Sequence, residues 1–251
     1  MNDVAPLKRA DLHAPRNGQG QYTDAFMQAA AAMTELHHHD WRLEIWNALT
    51  HGFGFLLSLI GSAVLITLVA IRGDGWQMAG ALVFCIALVA VYTSSTLYHS
   101  IPHAVTKSRM KVFDHCAIFL LIAGTYTPFT LIALRDRGGW WLFAAAWTLA
   151  LAGIIFKLFY TGRFKGISTL IYLGMGWMAV VAIKPFLAVV PLKTLLWLGA
   201  GGLAYTLGTL FYMSKRDHAH AIWHGFVLLG SACHFVAVAM QVLGPSVVPA
   251  I

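Results

Sequence analysis

Seven times between positions 43 and 243 the chain runs through eighteen or more mostly apolar residues, and each time a short polar break ends the run. A hydrocarbon core about 30 Å thick is crossed by roughly 20 residues of α-helix. Lipid offers no partner to a free backbone amide or carbonyl, so such runs must be helical. They cover 43–71, 76–101, 112–134, 140–160, 167–190, 192–213 and 219–243, and the breaks read RGDG, IPHAVTKSRMK, RDRGG, TGRFKG, KPFLAVVPLK and SKRDHAH. The fold class this dictates is an all-α integral membrane protein, a bundle of seven transmembrane helices. Lys184-Pro185 leaves the fifth run the least sharply bounded. Only 11% of the residues are charged, against about a quarter in a soluble domain.

Residues 1–40 are of different material, polar and Ala-rich, and lack the apolar stretch of a signal peptide. They read as a flexible cytoplasmic tail with a short helix over 24–36, leaving 41–245 as the membrane domain. Basic residues set the orientation. Twelve fall on one side: Lys8, Arg9, Arg16 and Arg42, then Lys107, Arg109 and Lys111, then Lys157, Arg163 and Lys165, then Lys215 and Arg216. Five fall on the other: Arg72, Arg135, Arg137, Lys184 and Lys193. The expectation is a multi-pass protein of the cell membrane, a bacterial inner membrane, with the N-terminus in the cytoplasm and the C-terminus outside.

The formal charge of +7 is largely this asymmetry, and it gives little reason to expect a nucleic acid partner. Membrane lipids are the expected contacts, and the oligomeric state is left open. The glycine pairs in GFGF, GMGW and GAGG lie in or beside apolar runs with no preceding strand. They suit close helix approach better than a nucleotide loop. Trp41, Trp76, Trp140 and Trp141 sit at run ends, where interfacial anchors belong. Cys85, Cys116 and Cys233 show no paired spacing and read as small buried apolar residues.

Ionisable groups inside the runs are costly and therefore functional candidates. Glu44, Asn47 and His51 begin the first run, Ser95 and His99 end the second, Asp114 opens the third, and His220 and His224 open the seventh. Alternating helix direction brings all of them to the same face of the membrane. Ser95/His99 and His220/His224 are i, i+4 pairs, and Glu44, Asn47 and His51 form an i, i+3, i+7 stripe, so each helix aims its polar groups one way.

Three imidazoles with a carboxylate nearby match the needs of a catalytic zinc site: three protein ligands and an open fourth position. His99, His220 and His224 are the candidate ligands. Asp114 is the candidate base toward a water that zinc acidifies to a pKa of roughly 7. Ser95 would orient a ligand or stabilise an oxyanion. Other divalent ions accept the same donors, and a proton relay or a structural polar cluster are the competing uses. For Glu44, Asn47 and His51, lining or orienting the site and plain helix packing stand level. The His37-His38-His39-Asp40 tract lies in the tail, which offers no fixed geometry. His115 and His234 are off the relevant helix faces.

Four stretches, EIWNALTHGFG (44–54), SSTLYHS (94–100), FDHCAIFLLIAGTYTPF (113–129) and HAIWHGF (220–226), resemble the hemolysin III family. This is the bacterial branch of the progestin and adipoQ receptor superfamily, and the resemblance spans 41–243. It implies seven transmembrane helices with a cytoplasmic N-terminus. It also implies a zinc ion near the cytoplasmic face, held by His99, His220 and His224, with Ser95 and Asp114 at the family's remaining motif positions. In the eukaryotic adiponectin receptors, and in the related alkaline ceramidases, that constellation is linked to hydrolysis of lipid amides. The function expected is a zinc-dependent hydrolase of a lipid amide or ester. The alternatives are a non-enzymatic sensor of lipid or membrane state with a structural zinc, or a hemolysin-type membrane-perturbing protein.

Overall fold

The computed structural model describes residues 19–244, which are helical and contain no strand among the described residues. The chain divides into two compact units, Met1–Arg42 and Leu43–Ile251. The first contains the start of α1 (Gln19–Arg72), which takes in the 24–36 segment. The side chains of the His37–Asp40 tract lie outside the described residues, as does everything before position 19.

In the second unit α1 is followed by α2 (Gly75–Ser100), α3 (Ala104–Pro128), α4 (Trp140–Tyr160), α5 (Lys165–Gly176), α6 (Ile183–Val189), α7 (Leu192–Met213) and α8 (Ala219–Val242). Six helical stretches are long and apolar enough to cross a membrane: Trp41–Arg72, Gly75–Ser100, Ala104–Ala133, Arg135–Tyr160, Leu192–Met213 and Ala219–Val242. A bent pair, Lys165–Val180 with Ile183–Val189, broken by 52°, makes a seventh if it is counted as one span. The fifth run is therefore not one straight helix. Pro185 cannot donate a backbone hydrogen bond and disfavours helix in the residue before it, so the chain restarts there and Pro185 lands in the first turn of α6, where no donor is needed.

The polar breaks are also more helical than their composition suggests. IPHAVTKSRMK is a three-residue turn followed by the first turns of α3, which starts at Ala104 behind the cap of His103. A stretch of π-helical winding, Phe129–Ala133, leads into RDRGG (Arg135–Gly139), where the backbone kinks out of helix at Arg137 (φ −131°) and Gly138 (φ 84°) before α4. That winding follows Pro128, whose missing donor frees carbonyls upstream. The hydroxyls of Thr127 and Thr130 bond to the carbonyls of Ala123, Tyr126 and Thr127 around it. The turn before α2 is closed by a capping box. Asp74 accepts from the amides of Trp76 and Gln77, and the Gln77 side chain accepts from the Asp74 amide.

Helix α3 is the enclosed post of the bundle. Its most apolar window is 72% buried, against 22% for those of α4 and α7. It packs along α2 through Phe84, Ala87, Leu88 and Leu121, while α8 closes the other flank with Val227, Ala237 and Val238. On α7 and α8, Gly201 faces the His234 ring, Gly208 faces Trp223 and Phe226, and Gly230 faces Tyr205. A β-carbon at any of them would overlap the opposing ring, so glycine sets how near these helices lie. At the far end of α2, Trp76 meets Trp140 edge to face with the guanidinium of Arg135 over the Trp76 ring.

Candidate metal centre

The end of the bundle that carries the starts of α3 and α8 and the end of α2 gathers the polar residues. His99 comes from the last turn of α2, and His220 and His224 come from the first two turns of α8. One ring nitrogen from each of the three lies within 4.8 Å of the other two. His99 Nε2 and His220 Nε2 are 3.3 Å apart. Two imidazole nitrogens on one tetrahedral zinc at 2.0–2.1 Å are separated by roughly 3.3 Å, so this edge already has the required length.

The outward-facing nitrogens determine which tautomer each ring adopts. His99 Nδ1 is 2.7 Å from Glu44 Oε2, so the ring donates there and its Nε2 keeps a lone pair. His224 Nδ1 is 3.2 Å from the main-chain carbonyl of Asn47, which can only accept, and 3.0 Å from Thr50 Oγ1. The Thr50 hydroxyl spends its own proton on the carbonyls of Trp46 and Asn47. His224 Nδ1 is thus the donor, and its Nε2 is free to bind a cation. Partners of this kind orient metal-binding imidazoles and raise their basicity. Glu44 is held in turn by Lys107, whose Nζ lies 3.1 Å from the same carboxylate oxygen.

The remaining candidates are placed as follows. His51 is buried and lies flat on His224, ring centroids 3.5 Å apart at 18°. Neither of its nitrogens has a hydrogen-bond partner among the described residues. It supports the His224 ring by its face. Asn47 enters by its main-chain carbonyl. Asp114 lies three turns into α3, with its carboxylate in the field of His99 and Lys111 and 3.7 Å from His115 Nδ1. Ser95 is fully buried, and its Oγ, near Asp114, has no hydrogen-bond partner among the described residues. Helices α1, α2, α3 and α8 thereby bring all eight sequence candidates into one neighbourhood. His115 and His234 stand outside the trio. His115 donates to the Lys111 carbonyl at 2.7 Å, and His234 to that of Leu198 at 3.2 Å.

Thr50 and Lys107 belong to the site and were not among the sequence candidates. Thr50 is flanked by Asn47 and His51 on the same helix face, which was the available signal. Lys107 was counted as a loop charge because the first turns of α3 read as a loop.

A family model described as haemolysin-III related matches residues 39–235. The chain belongs to the haemolysin-III-related family. It is 45% identical over 196 residues to the hemolysin-3 homolog of Bacillus subtilis (strain 168), covering 78% of this chain and 92% of that one. It is 45% identical over 201 residues to hemolysin-3 of Bacillus cereus, covering 80% and 92%. At 30% identity over 210 residues it is similar to the human monocyte to macrophage differentiation factor, covering 76% of this chain and 81% of that one. The last match ties the family to the progestin and adipoQ receptor superfamily. No solved structure matches the chain. With its apolar helices, this membership makes the protein a multi-pass protein of the cell membrane.

Proposed function

We propose that the protein is a zinc-dependent hydrolase cleaving an amide or ester bond of a membrane lipid at the cytoplasmic face. The observation that carries the reading is the set of three converging imidazoles, two of them (His99 and His224) with their outer nitrogens already engaged, beside the Asp114 carboxylate, which has no hydrogen bond to any of the three. His99, His220 and His224 would hold the ion, which supplies Lewis-acid activation of water and of a carbonyl. Glu44, the Asn47 carbonyl and Thr50 hold His99 and His224 in register. Asp114 takes the proton of the attacking water and returns it to the leaving group. The Ser95 hydroxyl, free of other partners, donates to the oxygen that gains charge as the carbonyl is attacked. Apolar helices around the site limit competing water. The site lies at the end of the bundle that carries most of the basic residues, which is the cytoplasmic end by the charge rule.

The Bacillus relatives carry the name hemolysin-3, and a lipid hydrolase accounts for lysis without a pore: cleavage leaves single-chain products that disorder a bilayer. The test is elemental analysis of the detergent-purified chain, prepared without chelators, beside its Asp114→Asn variant. The expected result is about one zinc per chain in both, with lipid cleavage only in the unaltered protein. Zinc in both with no lipid product from either would leave the ion as a clamp between α2 and α8, the non-enzymatic reading. No metal in the unaltered chain would refute both.

A further inference from the structure

A second polar group lies at the same end of the bundle, built from α3, α4, α5 and α7. Lys157 lies in the last turn of α4 and is 2% exposed, and its Nζ donates to Ser168 Oγ at 2.6 Å. Lys165 opens α5; its Nζ stands 4.0 Å over the Tyr212 ring and donates to the Tyr212 carbonyl. The Nζ of Lys111 lies against Gly162, 3.9 Å from where a β-carbon would be. The Lys111 and Lys157 ammonium groups thus meet one short segment, the 161–164 turn and the first turn of α5, and Lys165 leaves that same turn to reach Tyr212 on α7. That turn takes left-handed backbone at Gly162 (φ 83°) and Phe164 (φ 52°), and α5 has no side-chain cap on its amino end. Each lysine is within electrostatic range of another, and His115 is within range of all three.

Among the described residues, no carboxylate pairs with any of these lysines at salt-bridge distance. Asp114 lies within electrostatic range of Lys111. The carbonyl end of α4 offsets part of the Lys157 charge. The carbonyl end of α7 does the same for Lys165 through Tyr212, while Lys111 stands against the turn and the positive amino end of α5 adds to the group. Gathering three cations and a helix amino end in one place, one of the cations fully buried, leaves a strong net positive field that an anion would neutralise.

We propose that Lys111, Lys157 and Lys165, gathered around the amino end of α5, bind a phosphate group, supplied by a phospholipid headgroup or by free phosphate. Lysine recognises phosphate as a point charge, and uncapped amides at a helix start bind the same anion. Basic pockets between transmembrane helices hold lipid headgroups in the same manner. His115, next in the chain to Asp114, stands between this group and the metal centre: its ring faces Tyr212 and its carbonyl accepts from Tyr172. If the hydrolase reading above holds, on which this step rests, the substrate is a phosphate-bearing lipid anchored at α5 with its acyl linkage toward Asp114.

The test is a thermal-shift titration of the full chain in detergent with a short-chain phosphatidylglycerol, the matching diacylglycerol and inorganic phosphate. Phosphatidylglycerol is expected to bind at least about tenfold more tightly than diacylglycerol, and Lys165→Gln to weaken it about fivefold. Lys157→Met should weaken it further; should that variant not fold, surface-exposed Lys165 carries the test alone. Arg216→Gln, an exposed charge on the same face, should leave the affinity unchanged. His99→Ala should also leave it unchanged, which separates this pocket from the metal centre. Inertness of inorganic phosphate identifies the lipid headgroup as the ligand, and its binding in place of the lipid identifies free phosphate. Equal affinity for both lipids with phosphate inert would overturn the proposal. So would equal weakening by Arg216→Gln and Lys165→Gln, the mark of diffuse surface charge.

Discussion

Two groups of nitrogen bases share one end of this bundle and solve burial in opposite ways. In the histidine group the outer nitrogens of His99 and His224 have oxygen partners, and the inner nitrogens face one another. Neutral rings with lone pairs turned inward ask for a cation. In the lysine group the ammonium charges meet a hydroxyl, a carbonyl and an aromatic face but, among the described residues, no carboxylate, and ask for an anion. Asp114 and His115, adjacent in sequence, stand on the boundary. The difference teaches that the sign of a missing ligand can be read from what the partners leave unbalanced.

The sharpest way to break the comparison is to remove a ring. His99→Ala or His220→Ala is expected to take zinc from about one per chain to none, measured by elemental analysis, and to abolish hydrolysis. Lysine variants should leave metal content untouched. Next in size, Asp114→Asn should keep the metal and lower turnover by roughly 10²–10⁴-fold, read as product released from a labelled lipid. A smaller change follows from Glu44→Gln, which keeps the shape and removes the charge facing His99. Zinc affinity, measured by chelator competition, should fall about 10–100-fold. The least effect belongs to Thr50→Val: His224 Nδ1 retains the Asn47 carbonyl, so affinity should drop only about fivefold. An equal loss from Thr50→Val and Glu44→Gln would mean that helix packing, rather than ligand orientation, governs the site.

The fold was legible because lipid imposes a strong rule. Apolar runs of helical length appear as helices at six places where the composition puts them. The fifth run failed to be one straight helix for a local reason, the backbone cost of Pro185, which hydropathy does not weigh. The polar breaks were harder to read, since charges on the first turns of α3 look the same in a loop and on a helix. That ambiguity hid Lys107, and it also counted Lys157 as a loop cation when it is buried at the end of α4. At the metal centre, residue types and i, i+4 spacing brought out His99, His220 and His224. Spacing along one helix cannot tell that His51 meets His224 by its face, or that Asn47 contributes a carbonyl instead of its amide. Those are relations between helices, set by how near α1 and α8 lie.

The enclosure of α3 has a consequence for how the protein is made. Only α1 and α2 precede it in the chain, and α4, α5, α6, α7 and α8 leave the ribosome after it. Until they arrive, Asp114 and the hydroxyls of Thr125, Thr127 and Thr130 have only α1 and α2 to cover them, and a charged group facing lipid is expensive. Only the threonines have a remedy of their own, bonding back to carbonyls of their own helix. Asp114 must wait near the headgroups for its neighbours, so the centre of the bundle is the last part of it to become at home in the membrane.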